Sequence, residues 1–460
     1  MGSKKNAWLK FDDTKKEEIF SFCEGYKKYI SDCKTERESI KEAISLVESK
    51  GYRDLKNVIS AGKSLKAGDK VYYNNMDKSL ALFLIGSESI ESGMRIICSH
   101  VDSPRLDLKP NPLYEDSELS LMETHYYGGV KKYQWVTIPL ALHGVVVKKD
   151  GTKIDVVVGE EETDPVVMVS DLLVHLASEQ QQKKATEVIA GEDLNILVGS
   201  MPLEGEEKEA VKANILKLLK EKYDFEEEDF MSAEIEIVPA GKARDLGLDR
   251  SMVAGYGHDD RICAYTSLLA LLETESTKKT SVVLLVDKEE VGSIGATGMQ
   301  SRFFENAVAE LMDRVGEYSE LKLRRALANS KMLSSDVTAA FDPNYAGAYE
   351  KKNSAFFGKG LAFAKYTGAR GKSGCNDANA EFVAWLRNVM DENDVAYQMA
   401  ELGKVDQGGG GTIAYILAEY GMEVIDCGVA LQNMHAPWEV ASKVDIFETM
   451  RGYKAFLMAE

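Results

Sequence analysis

Long apolar runs are missing from the 460-residue sequence. None approaches the ~20 residues that a bilayer-spanning helix needs, so no membrane partner is expected. An apolar secretory core is missing too. The opening MGSKKNAWLKFDDTKKEE carries charge throughout, which leaves no signal peptide to read. Cysteine is sparse: six residues, at 23, 33, 98, 263, 375 and 427, with no Cys-x-x-Cys pair. That spacing suits reduced thiols in a cytoplasmic protein better than a disulfide frame or a thiolate zinc site. Positive charge is in deficit, 56 Lys plus Arg against 75 Asp plus Glu for a net −19. Such a surface repels phosphate backbones and argues against nucleic acid as a partner. Glycines 408–411 lack a following Gly-Lys-Ser/Thr, so they make no phosphate cradle.

What is present is an ordinary globular mixture, 44% hydrophobic and 28% charged, on a chain long enough for two or three domains. Residues 14–30 read as an amphipathic helix. A second helix starts at Thr35, where Thr35 and Glu38 have capping-box spacing. Strands are predicted over 71–75, 80–86 and 94–99. The last two show no polar alternation, as expected of strands buried on both faces. From residue 104 the texture turns to hairpins, with KKDG as a turn signal; a charged helical insertion covers 204–230. After residue 251 helices and strands alternate again. Helices are expected over 261–273, 306–328, 377–391 and 412–420, with a last one from about residue 438. A fully apolar strand covers 281–286, and others lie near 331, 361, 395 and 424. This predicts an α/β fold with a mainly parallel sheet and helices on both faces. The catalytic part would comprise residues 1–103 and 251–460, interrupted by a β-rich domain over 104–250.

In open α/β sheets, sites collect at the carboxyl ends of strands. After MRIICS come His100 and Asp102; after SVVLLV come Glu289 and Glu290; after KMLSS comes Asp336; beyond VIDCGVALQN comes His435. Asp260, in GHDDR, precedes the 261–273 helix. A lone histidine or acidic pair is usually core or solvated surface, and Glu161-Glu162 or Glu206-Glu207 are of that bland kind. It is the joint placement of these residues at strand ends that points to metal chemistry. Imidazole nitrogens with carboxylate oxygens suit zinc. Two ions held ~3.5–4 Å apart need an anionic bridge, which one Asp can supply. Two dications against Asp260, Glu290, Asp336 and one hydroxide sum to neutrality, with His100 and His435 uncharged. Asp102 is placed to orient an imidazole, and Glu289 is free to accept a proton.

The ordered set HVDSP, GHDDR, DKEEVGS, SSD…DPNY, GGGGTI and MHAPWEVASKVD resembles the aspartyl aminopeptidase family, relatives of the tetrahedral TET-type enzymes. The resemblance implies a zinc aminopeptidase acting on peptides. His100 and Asp336 would hold one zinc, Glu290 and His435 the other, with Asp260 bridging and Glu289 as general base. Cobalt or manganese would fit the same donors. It also implies that the inserted domain dimerises, that His175 reaches a neighbouring subunit's site to contact substrate, that Lys365 contacts substrate, and that dimers build a tetrahedral homododecamer. Ala339 and Asp342 stand where aspartyl-specific members tend to carry histidines, which favours a neutral or broader side-chain preference. Two rivals keep the same residues: a dinuclear zinc carboxypeptidase or deacylase, and a catalytically silent scaffold.

Overall fold

The computed structural model describes residues 5–460. The chain divides into two compact units. The first runs up to Asp102, resumes over Ala243–Met434 and closes with Glu439–Glu460; the second comprises Ser103–Lys242 and His435–Trp438. Residues 243–250, assigned by sequence to the insertion, fall in the first unit because Arg244–Leu246 pairs antiparallel with Met252–Gly255.

Among the described residues the first unit is built on a nine-stranded mixed, mainly parallel sheet. At its centre Thr280–Val286, Met94–His100, Lys331–Ser335 and Glu423–Gly428 lie side by side in parallel. Alternate side chains feed two cores, since successive strand residues face opposite ways. Ile97, Val283 and Leu285 join the core under the His258–Leu272, Ala380–Glu392 and Lys443–Met458 helices. Ile96, Cys98, Val282 and Leu284 join the one under Phe303–Arg314 and Glu320–Ala328. A strand buried on both faces needs apolar residues at every position, and the unbroken runs supply them. A smaller five-stranded sheet contains Met252–Gly255 and Glu439–Ser442 as antiparallel neighbours.

The second unit is a seven-stranded antiparallel sheet, with the charged helix Ala210–Tyr223. Its hairpin of Leu140–Val147 and Lys153–Val158 turns through the KKDG segment, with Gly151 left-handed.

The N-terminal helices occupy Asp13–Asp32 and Glu36–Ser49, the second with the full Thr35–Glu38 capping box. The helix predicted over 306–328 is two, Phe303–Arg314 and Glu320–Ala328. Gly316 turns left-handed between them, and Ser319 caps the second by accepting from Lys322 N. The last helix starts at Lys443 rather than near residue 438, because Glu439–Ser442 is committed to the small sheet. No helix among the described residues is long and apolar enough to cross a membrane.

One close approach holds two of the central strands in step at their carboxyl ends. A Cβ added to Gly428 would lie 2.0 Å from the carbonyl oxygen of Asp336 and 3.1 Å from Cys263 Sγ. Backbone cannot yield as a side chain can. Gly428→Ala is expected to lower stability by about 3 kcal/mol, read as a fall in thermal midpoint; an unchanged midpoint would show that the strand ends can part.

Candidate metal centre

Parallel pairing brings carboxyl ends to one edge. Val286 is in register with His100, and Ser334 with Cys98. Residues just past these positions, Asp287–Glu290 and Asp336, therefore emerge beside His100. Three loops are thereby set around one imidazole.

His100 is 1% exposed. Its Nδ1 faces Asp102, 3.0 Å from the main-chain oxygen and 3.3 Å from Oδ1. Its Nε2 faces outward to Asp259 Oδ1 at 3.1 Å, Asp336 Oδ1 at 3.7 Å and Glu289 Oε2 at 3.9 Å. Asp102 also reaches the next loop, where its two carboxylate oxygens accept from the main-chain N–H groups of Glu289 and Glu290, each at 3.2 Å. The short turn Glu289–Val291 lies between a left-handed Lys288 and a left-handed Gly292, so the chain doubles back and presents both glutamates. Atoms of His100, Glu289 and Glu290 lie within 4.8 Å of one another, as do atoms of His100, Asp260 and Asp336.

The GHDDR segment separates its two aspartates. Asp259 points at His100 Nε2, whereas Asp260 Oδ2 accepts from the main-chain N–H of His100 at 3.3 Å. Sequence reasoning selected Asp260 and passed over Asp259. Two adjacent acids are indistinguishable by type, and only the backbone, non-helical at both (φ −80°, ψ 107° and φ −115°, ψ 25°), decides which faces the imidazole. The neighbouring His258 is buried, pushed down to about 3 by loss of hydration, a hydrogen bond to Val253 notwithstanding, so it is neutral.

The electrostatics are those of crowded anions. Burial, then the charges of Asp336, Asp102 and Asp259, push Glu289 up to about 8, against the lowering pull of His100. Burial also raises Asp336, opposed by its hydrogen bond to His100, and raises Asp260 well above the carboxylate range. For His100 burial disfavours the cation, but hydrogen bonds to Asp102, Asp259 and Asp336 outweigh it and lift the imidazole well above its usual value. A buried cluster of this composition is satisfied by cations. Its donors, imidazole nitrogen with carboxylate oxygens, are those zinc takes.

The remaining predicted residues fall in other segments. His435, in the second unit, has a left-handed backbone and Nδ1 2.9 Å from the Gly129 carbonyl. His175 is exposed on a short turn, Val174–Leu176, of the second unit. Lys365 Nζ sits 2.8 Å from Asp377 Oδ1, whose other oxygen takes Lys372 at 2.9 Å. Asp342 caps a turn by accepting from Asn344 N, and Ala339 lies in the short strand Thr338–Ala339 of the small sheet.

Comparison with known proteins agrees with this chemistry. Residues 29–457 match the model of the Peptidase M18 family, described as aminopeptidase I zinc metalloprotease. The chain is 66% identical over 454 residues to a probable M18 family aminopeptidase 1 of Clostridium acetobutylicum, covering 98% of each. The crystal structure of an M18 aminopeptidase from Thermotoga maritima superposes with a TM-score of 0.95 at 45% identity, covering 99% of each chain. The S. cerevisiae mApe1 dodecamer, 20% identical over 95% of this chain and 96% of that one, shares the fold with a TM-score of 0.77. With the His–carboxylate centre at its strand ends, the chain belongs to the M18 family of aminopeptidase I zinc metalloproteases.

Proposed function

We propose that this zinc aminopeptidase works with two metal ions per subunit and Glu289 as its general base. The observation that carries the reading is the convergence of Asp259, Asp336 and Glu289 on the outward nitrogen of a single buried imidazole. His100 and Asp336 would hold one ion. Glu290 would hold the other, with His435 as its imidazole on the strength of the MHAPW motif. Asp259 is proposed as the bridge in place of Asp260. Its Oδ1 faces His100 Nε2, and it has an oxygen within 4.8 Å of one on Glu290. Asp260 is engaged with the main chain of His100. Zinc is the family's metal; cobalt or manganese would fit the same donors.

When bound, the ions would polarise the scissile carbonyl and acidify the attacking water. The chain's own groups do the rest. Glu289, which nearby cations would hold in its carboxylate form, takes the water proton on an Oε atom and returns it to the leaving amine. Asp102 fixes the direction of this transfer by holding both the His100 ring and the Glu289 main chain. The free N-terminal amine of a peptide finds acidic side chains around the centre, which favours exopeptidase action. Lys365 already has its charge answered by Asp377. Together with Ala339 and Asp342, this supports a neutral or broad side-chain preference over an acidic one.

Assembly is proposed as a tetrahedral homododecamer of dimers, with the second unit as the dimerising part. Support comes from exposed apolar side chains at Leu172, Leu173, Val174 and Leu176, 46–68% exposed around His175, which would reach a neighbouring subunit. The mApe1 homologue is itself a dodecamer. A cytoplasmic location is proposed from the six free thiols.

Three outcomes are expected. After metal-replete purification, elemental analysis should give about two ions per chain, and Asp259→Asn should lower that count more than Asp260→Asn; less than one ion per wild-type chain would remove the dinuclear centre. Glu289→Gln should keep both metals yet lose about 10²–10⁴-fold in kcat, so a fully active variant would discard the base. Aminoacyl amides with a free amine should be cleaved and their N-acylated forms spared, with Leu favoured over Asp at the N-terminus; the reverse order would restore acidic specificity.

A further inference from the structure

Residues 257–260 bring Asp259 to the metal centre without a regular helical turn. Gly257 is left-handed, and Asp259 and Asp260 depart from helical backbone, so the start of the His258–Leu272 helix lacks the regular turn that would fix its direction. The segment is held instead by side-chain bonds, most of them to distant parts of the chain. Asp259 N donates to Glu439 Oε2 at 3.1 Å, Glu439 being buried on the neighbouring strand of the small sheet. Arg261 donates to the carbonyls of Lys34 and Tyr256 at 2.6 and 3.2 Å.

The side-chain tie next to Asp259 is the ring of His258. Its Nε2 lies 3.2 Å from the Val253 carbonyl, so Nε2 carries the proton and donates. Nδ1 is then an acceptor, and the Tyr26 hydroxyl, 2.5 Å away, donates to it. The two rings also stack, centroids 5.5 Å apart at 28°. Tyr26 and His258 are both fully buried, so water cannot replace either bond. Tyr26 belongs to the Asp13–Asp32 helix and precedes the stretch matched by the family model, which starts at residue 29.

From these contacts we infer that Tyr26 is a positioning residue for the metal centre: its hydroxyl fixes the His258 ring, and His258 fixes the direction in which Asp259 offers its carboxylate. Tyr26 touches no reacting atom. It acts through one side chain and one peptide link, and the inference rests on the proposed role of Asp259 as a ligand. Groups that orient a ligand typically change metal affinity or activity 10–100-fold when removed. One step further out, about tenfold is expected.

The test measures zinc affinity of the metal-free protein by competition with a chromophoric chelator, and kcat and KM under saturating zinc, for four variants. Tyr26→Phe keeps the ring stack and removes only the hydroxyl; it should weaken zinc binding about tenfold and lower kcat with KM unchanged. His258→Gln can still accept from Tyr26 and donate to Val253, and should stay near wild type, whereas His258→Leu should lose as much as Tyr26→Phe or more. Asp259→Asn is the reference and should abolish tight binding of at least one ion. If Tyr26→Phe fails to fold, the His258→Gln and His258→Leu pair decides in its place. Wild-type zinc affinity and kcat in Tyr26→Phe, with Asp259→Asn defective, would overturn the positioning role while leaving the site intact. Wild-type zinc affinity in Asp259→Asn would overturn both.

Discussion

His100 meets Asp102 behind it and Asp259, Asp336 and Glu289 in front of it, and these contacts constrain everything else in the catalytic unit. Carboxylates of like charge repel, most strongly where water is excluded. Holding them around one imidazole needs a frame that cannot relax. Three parallel strands supply it, since their register fixes where each loop departs. Asp102 then joins two of the three loops by binding the imidazole on one side and two main-chain N–H groups on the other. The site is anionic by construction, which is why a cationic cofactor and a substrate with a free amine both suit it.

The turns matter as much as the strands. Left-handed Lys288 and Gly292 reverse the chain so that neighbouring glutamates both come close to His100. The irregular start of the His258–Leu272 helix separates Asp259 from Asp260, giving one the imidazole nitrogen and the other the His100 main chain. Irregular backbone of this kind is tolerated because tertiary hydrogen bonds over-determine it. Glu439, Tyr26 and Arg261 supply such bonds.

The His–carboxylate cluster lies at the ends of strands that are themselves packed between two cores. Lys365, Asp377 and Lys372 sit half-exposed on a loop and answer one another's charge. A loop of this sort can change its sequence without disturbing the strands that carry the His–carboxylate cluster. The family likeness reaches nearly the whole chain.

Apolar runs such as SVVLLV made the buried strands legible, and the Thr35–Glu38 spacing made the second helix legible, because both depend on local pattern. The ends of those runs also pointed to residues that the structure brings close together: His100, Asp102, Glu289, Glu290 and Asp336. Three-dimensional contacts decided the rest. Gly316 split a helix that periodicity alone would run together. Glu439–Ser442 became a strand because a partner strand was waiting for it. Asp259 rather than Asp260 turned toward His100 because the backbone between them leaves the helix. Periodicity and residue type report what a segment can bury and which atoms it can offer. Which of two identical side chains faces a partner depends on backbone angles set by groups hundreds of residues away, and no local pattern carries that information.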